Sequence, residues 1–152
     1  GNRFMNILFI CTGNTCRSAM AEVMLKAMLI ERGMEGVKVA SAGIAAMPGD
    51  KASHHAVEVM SELGISLHRH RSSKADENLL KQADLILTMT NSHKMAVKSW
   101  EPSVWNKIYT LKEYAGMGQN DISDPFGQSE EKYRQTREEI KQALEKVIEK
   151  LR

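Results

Sequence analysis

The apolar run Ile7-Leu8-Phe9-Ile10 ends at a cysteine, the sequence C-T-G-N-T-C-R-S fills Cys11 to Ser18, and a helical pattern follows from Ala19 to Leu29. Such an arrangement is a buried strand, a short polar turn and a helix. A strand–loop–helix of this kind aims successive backbone N–H groups at one point, with the positive end of the helix dipole behind them, and so forms a cradle for an anion. Cys11 stands at its mouth, where a bound oxyanion would touch the sulfur. The same field, together with Arg17, favours the thiolate over the thiol.

The C-x-x-x-x-x-R spacing from Cys11 to Arg17 lets the loop curl until the guanidinium faces the sulfur across a phosphate. Its planar fork then makes two parallel hydrogen bonds that a lysine cannot reproduce. Gly13 is expected at φ > 0 with no Cβ in the way of the anion, and the Asn14 amide can bond to backbone and tolerate left-handed geometry. Thr12, Gly13, Asn14, Thr15, Cys16 and Ser18 are thus the expected phosphate-binding set. Ser18 can donate its hydroxyl proton toward the Cys11 sulfur and steady it as a leaving group, although it also reads as an ordinary helix cap. No G-x-x-x-x-G-K-[ST] loop is present, so the anion site comes with a reactive cysteine rather than an obvious magnesium ligand.

At 152 residues and 42% hydrophobic content, the chain fits one domain that can bury a core without metals or disulfides. Its two cysteines, Cys11 and Cys16, share one turn, which makes a poor structural framework and points to a reducing, cytoplasmic setting. No apolar run is long enough for a bilayer and the first residues lack the segments of a secretory signal, so no membrane partner is expected. Gly1 to Phe4 precede a candidate start at Met5 and are read as an added remnant, leaving 5–152 as the domain. A net charge of +2 is too small to argue for nucleic acid. His54, His55 and His93 fit no metal-ligand spacing with acidic partners; they are read as surface or core residues, and no metal or organic cofactor is implied.

Asn6 to Cys11 and Val37 to Ala42 read as strands, joined by an amphipathic helix from about Ser18 to Arg32 that Gly33 ends. Ser53 caps a helix running to Leu63 before Gly64, a short helix spans Asp76 to Gln82, and Leu85 to Met89 resumes the sheet. Asn91 or Ser92 opens a helix before Pro102, Lys107 to Thr110 is a short strand leading into a polar loop, and Ser129 starts the terminal helix. There Tyr133, Thr136, Ile140, Leu144, Val147, Ile148 and Leu151 fall largely on one face. The alternation implies an α/β fold with a doubly wound parallel sheet, helices on both faces, and a ligand site beyond the carboxyl ends of the strands.

Further motifs are S-A-G at Ser41 to Gly43, A-D-L-I-L-T-M at Ala83 to Met89 and D-P-F-G at Asp124 to Gly127. With N-I-L-F-I-C-T-G-N-T-C-R-S, they make the chain resemble the low-molecular-weight protein tyrosine phosphatase family from Met5 to about Leu151. The resemblance implies a four-stranded sheet of order 2-1-3-4 and a phosphocysteine intermediate. It assigns Cys11 as nucleophile, Arg17 as transition-state clamp, Ser18 as thiolate partner, Asn14 as loop-shaping residue and Asp124 as general acid. Displacing a group from phosphorus is eased when a carboxyl delivers a proton to it, and the same carboxylate can then activate water. Pro125 restrains Asp124 to extended geometry, Phe126 forms one wall of the entrance and Gly127 permits the turn, although D-P-F-G alone also reads as a plain turn. Ser41 matches a serine supporting the loop through Asn14, and His70 matches a buried histidine of that network; a strand-end hydroxyl, however, needs no function. Asp121 lacks the following proline and is expected to be solvated. Ala19 stands where many members have a proline, which a first helical turn favours without requiring.

Thr15 occupies the position where tyrosine-directed members usually carry a bulky aliphatic residue, and in this it resembles the protein-arginine phosphatase branch. A smaller hydroxyl-bearing side chain leaves room and polarity for a planar guanidinium, with which Asp124 can also pair. Phosphoarginine residues of proteins are therefore the expected substrate and phosphotyrosine the alternative. Cys16 reads either as a small buried residue or as the thiol that captures an oxidised Cys11 in a disulfide, a protection used by family members with both cysteines. A thioredoxin-coupled arsenate reductase needs further cysteines, and none follows Cys16. A phosphotransfer carrier would not need Arg17 and Asp124; a non-catalytic phosphoprotein-binding module would not need Cys11. The chain is expected to act as a monomer.

Overall fold

The computed structural model describes residues 4–151. Of the expected remnant, Gly1 to Arg3 lie outside the described residues, whereas Phe4 is exposed with the Lys38 ammonium 4.5 Å from its ring centroid. Strands β1 (Met5–Cys11), β2 (Val37–Gly43), β3 (Leu85–Thr88) and β4 (Ile108–Thr110) form a four-stranded parallel sheet in the order β2-β1-β3-β4. Between and after them run α1 (Arg17–Glu31), α2 (His54–Ser61), α3 (Glu77–Gln82), α4 (Asn91–Trp100), α5 (Leu111–Tyr114) and α6 (Glu130–Lys150). The expected strand order and fold class are those observed.

Strand periodicity sorts the core into two layers. Ile7 and Phe9 of β1 pack with Met20 and Leu25 of α1 and with Ile140, Leu144 and Val147 of α6. Leu8 and Ile10, pointing the other way, pack with Leu80 of α3, Val97 of α4 and Ile108 of β4. Because the chain moves from β1 outward to β2 and then back across to β3, the strand order reverses at β1, and the crevice opens at its carboxyl end. That end is Cys11.

Several element ends differ from the sequence reading. Helix α2 stops at Ser61 instead of Leu63, because Leu63 and Gly64 donate to the carbonyls of Met60 and Ser61 in a tightened last turn, and Gly64 leaves it at φ +73°. Strand β3 ends at Thr88, and the cap of α4 is Thr90, whose hydroxyl accepts from the His93 N–H. The polar loop expected after β4 begins with a helical turn, α5. Its T-L-K-E start is a capping box, Thr110 accepting from Glu113 N–H while the Glu113 carboxylate accepts from Thr110 N–H.

This turn matters to the site, since Lys112 of α5 pairs with Glu139 of α6 at 2.8 Å and Glu139 in turn holds Ser123, next to Asp124. Thr110→Ala is expected to lower stability by about 1 kcal/mol, read as a shifted urea midpoint at unchanged slope. An unmoved midpoint would show that α5 does not depend on its cap.

Candidate active site

Helices α2 to α6 each have a side chain capping the first turn, namely Ser53, Asp76, Thr90, Thr110 and Ser129. Helix α1 does not. Cys16 stands at its N-cap without a side-chain bond, and its first turn holds no acid. The donors and the dipole end of α1 are therefore left for an anion from outside the helix.

Between Cys11 and α1 the chain turns through Asn14, which sits at φ +59°. Both polar atoms of its buried side chain are bonded: Nδ2 donates to Ser18 Oγ at 2.8 Å and to Ser41 Oγ at 2.9 Å, and Oδ1 accepts from Ser73 N–H at 2.9 Å. The Asn14 carbonyl lies 2.6 Å from His70 Nε2, so that nitrogen carries the proton and donates. Ser41 passes its own proton to the Glu22 carboxylate. The residues expected to support the loop, Ser41 and His70, are thus brought to it; Glu22 was not foreseen.

Ser18 Oγ lies 2.8 Å from Cys11 Sγ. Because it already accepts from the Asn14 amide, its own proton is free to point at the sulfur, as a thiolate partner requires. Ser18 is buried and does not cap the helix.

Arg17 is 4% exposed, and its Nη1 donates to the Ile122 carbonyl at 3.0 Å. That bond leaves the Nε and Nη2 edge, the edge that binds oxyanions in a bidentate manner. Nε is buried without a hydrogen-bond partner among the described residues, and Nη2 is 3.5 Å from Asp124 Oδ2. The acid loop is fixed from behind: Ile122 N–H donates to the Met89 carbonyl, extending β3, and Ser123 donates to Glu139. Burial alone would raise the Glu139 carboxyl, but Lys112 and Ser123 outweigh it and hold it below its ordinary value. Asp124 itself is exposed and accepts from Phe126 N–H at 3.0 Å, and Gly127 makes the turn at φ +75°.

Two expectations are corrected here. Left-handed backbone falls on Asn14, not on Gly13, and a Cβ on Gly13 would meet nothing nearer than Thr15 Oγ1 at 3.8 Å. The glycine the loop needs is Gly43, where a Cβ would collide with the Thr12 carbonyl oxygen and stand 3.0 Å from Asn14 N. Asp121 is exposed as expected, yet it also accepts from Asn91 N–H at 2.8 Å and so ties the acid loop to the start of α4.

His93, read as a generic surface or core residue, reaches the site. It is buried, and its Nε2 lies 2.8 Å from Thr12 Oγ1. Burial first, then the Arg17 charge, push the imidazole down to about 4, so it is neutral at pH 7. Only its place at the start of α4, after the strand next to β1, signals this in the sequence. Burial and then the Cys11 charge push the Cys16 thiol up to about 12.

A cleft of about 240 Å³ is walled by Cys11, Thr12, Thr15, Cys16, Arg17, Asp124 and Phe126. A roomier surface groove beside Tyr109 and Trp105 is lined by no cysteine. No group of three or more His, Cys, Asp or Glu suited to a metal occurs among the described residues.

The profile of the Low molecular weight phosphotyrosine protein phosphatase family matches residues 6–152. The chain belongs to this family. It is 44% identical over 148 residues, 97% of each chain, to a protein-arginine-phosphatase of Bacillus subtilis. A solved YwlE arginine phosphatase, a cysteine-to-serine mutant with a phosphorylated active-site serine, matches at 44% identity and TM-score 0.93, with 97% of this chain and 95% of that one covered. A low-molecular-weight protein tyrosine phosphatase from T. tengcongensis matches at 44% identity and TM-score 0.91, covering 96% of this chain and 99% of that one. Overall likeness therefore does not choose the leaving group.

Gly43→Ala is expected to lower kcat/KM roughly tenfold or more by displacing the Thr12 carbonyl and Asn14, and to cost about 1–3 kcal/mol of stability. Gly13→Ala should leave the melting temperature unchanged. Equal melting temperatures for the two variants would refute the close-packing account.

Proposed function

We propose that this protein is a protein-arginine phosphatase that works through a phosphocysteine intermediate. Cys11 Sγ attacks phosphorus as the P–N bond breaks, and Asp124 delivers its proton to the departing guanidine nitrogen. The Nε and Nη2 edge of Arg17, with the loop amides and the dipole end of α1, holds the equatorial oxygens as charge gathers on them. In the second step the Asp124 carboxylate takes a proton from water, the water oxygen attacks phosphorus, and the P–S bond breaks. Ser18 then donates its hydrogen bond to the departing Cys11 thiolate. The products are an arginine side chain and inorganic phosphate. The phosphorylated active-site serine of the YwlE mutant supports covalent transfer to the residue at this position.

The observation that carries the choice of substrate is Thr15, which lines the cleft together with Cys11 and Asp124. A hydroxyl and a single methyl there leave space and an acceptor for a planar, donor-rich guanidinium, and Asp124 supplies a second acceptor. The relative named as a protein-arginine-phosphatase points the same way. Phe126, 72% exposed at the cleft mouth, favours a second reading as a tyrosine phosphatase, because its ring can stack on a phenyl ester. A reducing, cytoplasmic setting and a monomeric form belong to the same proposal: the nucleophile must be a reduced sulfur, and one chain supplies every wall of the cleft. No helix among the described residues is long and apolar enough to cross a membrane.

On phosphoarginine and phosphotyrosine peptides of matched sequence, with Cys11→Ser as the blank, kcat/KM is expected to favour phosphoarginine. Thr15→Ile should move that ratio toward phosphotyrosine by about tenfold or more. An unchanged ratio would leave the mechanism standing and overturn the substrate assignment.

We infer a protective role for Cys16. Oxidation of Cys11 to the sulfenic acid removes the Cys11 charge that, after burial, holds the Cys16 thiol up, and condensation of the two then gives a disulfide and water. Peroxide-treated protein is expected to recover its activity with reductant, and Cys16→Ser to recover much less. Equal recovery would remove the role.

A further inference from the structure

Thr12 is the first loop residue after the nucleophile; it lines the cleft, and its hydroxyl is 2.8 Å from His93 Nε2. His93 is 4% exposed and lies in the first turn of α4, where its own N–H is taken by Thr90 Oγ1. The remaining ring nitrogen, Nδ1, is buried and has no hydrogen-bond partner among the described residues. The charges that bear on the ring are Arg17, which opposes protonation along with burial, and Asp121 and Asp124, which favour it; the balance leaves it neutral with a single N–H.

That single proton has two places to be. On Nδ1 it would be a buried N–H with no acceptor, an arrangement that folded proteins rarely keep. On Nε2 it is donated to Thr12 Oγ1, and only a lone pair is left over at Nδ1. A threonine hydroxyl that accepts from His93 keeps its own proton for another acceptor, and Thr12 lines the cleft.

We propose that His93 is a positioning residue that fixes Thr12 as a hydroxyl donor to a phosphoryl oxygen of the bound substrate. The inference rests on the cleft being the phosphoryl site, but not on which side chain carries the phosphoryl group. Thr15 faces the substituent on phosphorus and sets the choice between substrates. Thr12 reads the phosphoryl group itself, so its effect is the same for every ester or phosphoramidate. Helix α4 is thereby joined to the anion loop through one side-chain bond, at the same helix start that Asp121 ties to the acid loop.

The test measures competitive inhibition by inorganic phosphate, and KM for para-nitrophenyl phosphate, in Thr12→Val, Thr12→Ser, His93→Leu, His93→Gln and the Thr12→Val/His93→Leu double variant. Loss of one donor to a charged oxygen should weaken phosphate binding about tenfold in Thr12→Val and in His93→Leu, with no further loss in the double variant. Thr12→Ser keeps the hydroxyl and His93→Gln keeps a donor near the Nε2 position, and both should stay close to the parent. Unchanged phosphate inhibition in Thr12→Val, or additive losses in the double variant, would overturn the proposal. Should His93→Leu fail to fold, the Thr12→Val and Thr12→Ser pair decides alone, because Thr12 is exposed at the cleft. A substrate preference for phosphotyrosine would sink the arginine reading and leave this one intact.

Discussion

The Asn14 side chain joins three segments that the chain alone leaves independent: the start of α1 through Ser18, strand β2 through Ser41, and the loop after α2 through Ser73. A left-handed residue in a loop between a strand and a helix is a local cost, and it persists only where the surroundings fix it. Here they do, because every polar atom of the amide is bonded and the residue is fully buried. The consequences run outward. Ser18 accepts from Asn14 and keeps its own proton for Cys11, and the loop carbonyl meets His70 where Asn14 turns the backbone.

Charge in the cleft is arranged by the same logic. Arg17 and the uncapped end of α1 are the positive features, and neighbouring groups able to add charge are kept neutral: His93 by burial and the Arg17 field, Cys16 by burial and the Cys11 charge. A second thiolate would repel the anion. Asp124 differs in being exposed, which suits the proton donor and acceptor proposed for it.

Much of this was legible from local patterns. The C-T-G-N-T-C-R-S run places Cys11, Arg17 and the loop residues around one cleft because strand, turn and helix follow one another within a few residues of chain. Alternation of strands and helices gave the sheet class, and turn residues placed most element ends to within a few positions. What the sequence hid depends on contacts across the fold. A Cβ on Gly43 would meet the Thr12 carbonyl, which no pattern within β2 reveals, whereas the left-handed backbone falls on Asn14, one of the two loop residues read as able to adopt it, and not on Gly13. His93 looks like any histidine in an amphipathic helix until α4 is docked against the loop. Helix α5 did carry a local signal, the Thr110 to Glu113 capping box, and its shortness let the glycine-bearing sequence beyond it dominate the reading.

Floor and rim of the cleft are held by different kinds of bond, and this separates chemistry from specificity. Arg17, Ser18 and Asn14 are buried and tied into networks that reach β2, the acid loop and the loop after α2, so changing any of them disturbs several groups at once. Thr15, half-buried, and Phe126, exposed, stand at the rim, where Phe126 reaches the floor only through Asp124, which accepts from its N–H and lies 3.5 Å from Arg17. In the proposed function a substitution at the rim alters which substituent on phosphorus fits while the phosphoryl machinery stays where it is. Substrate choice can therefore diverge within one fold and one mechanism, consistent with equal overall identity to relatives named for arginine and for tyrosine. Thr12 is the exception at the rim: it is more exposed than Thr15, yet its hydroxyl is anchored to a buried histidine.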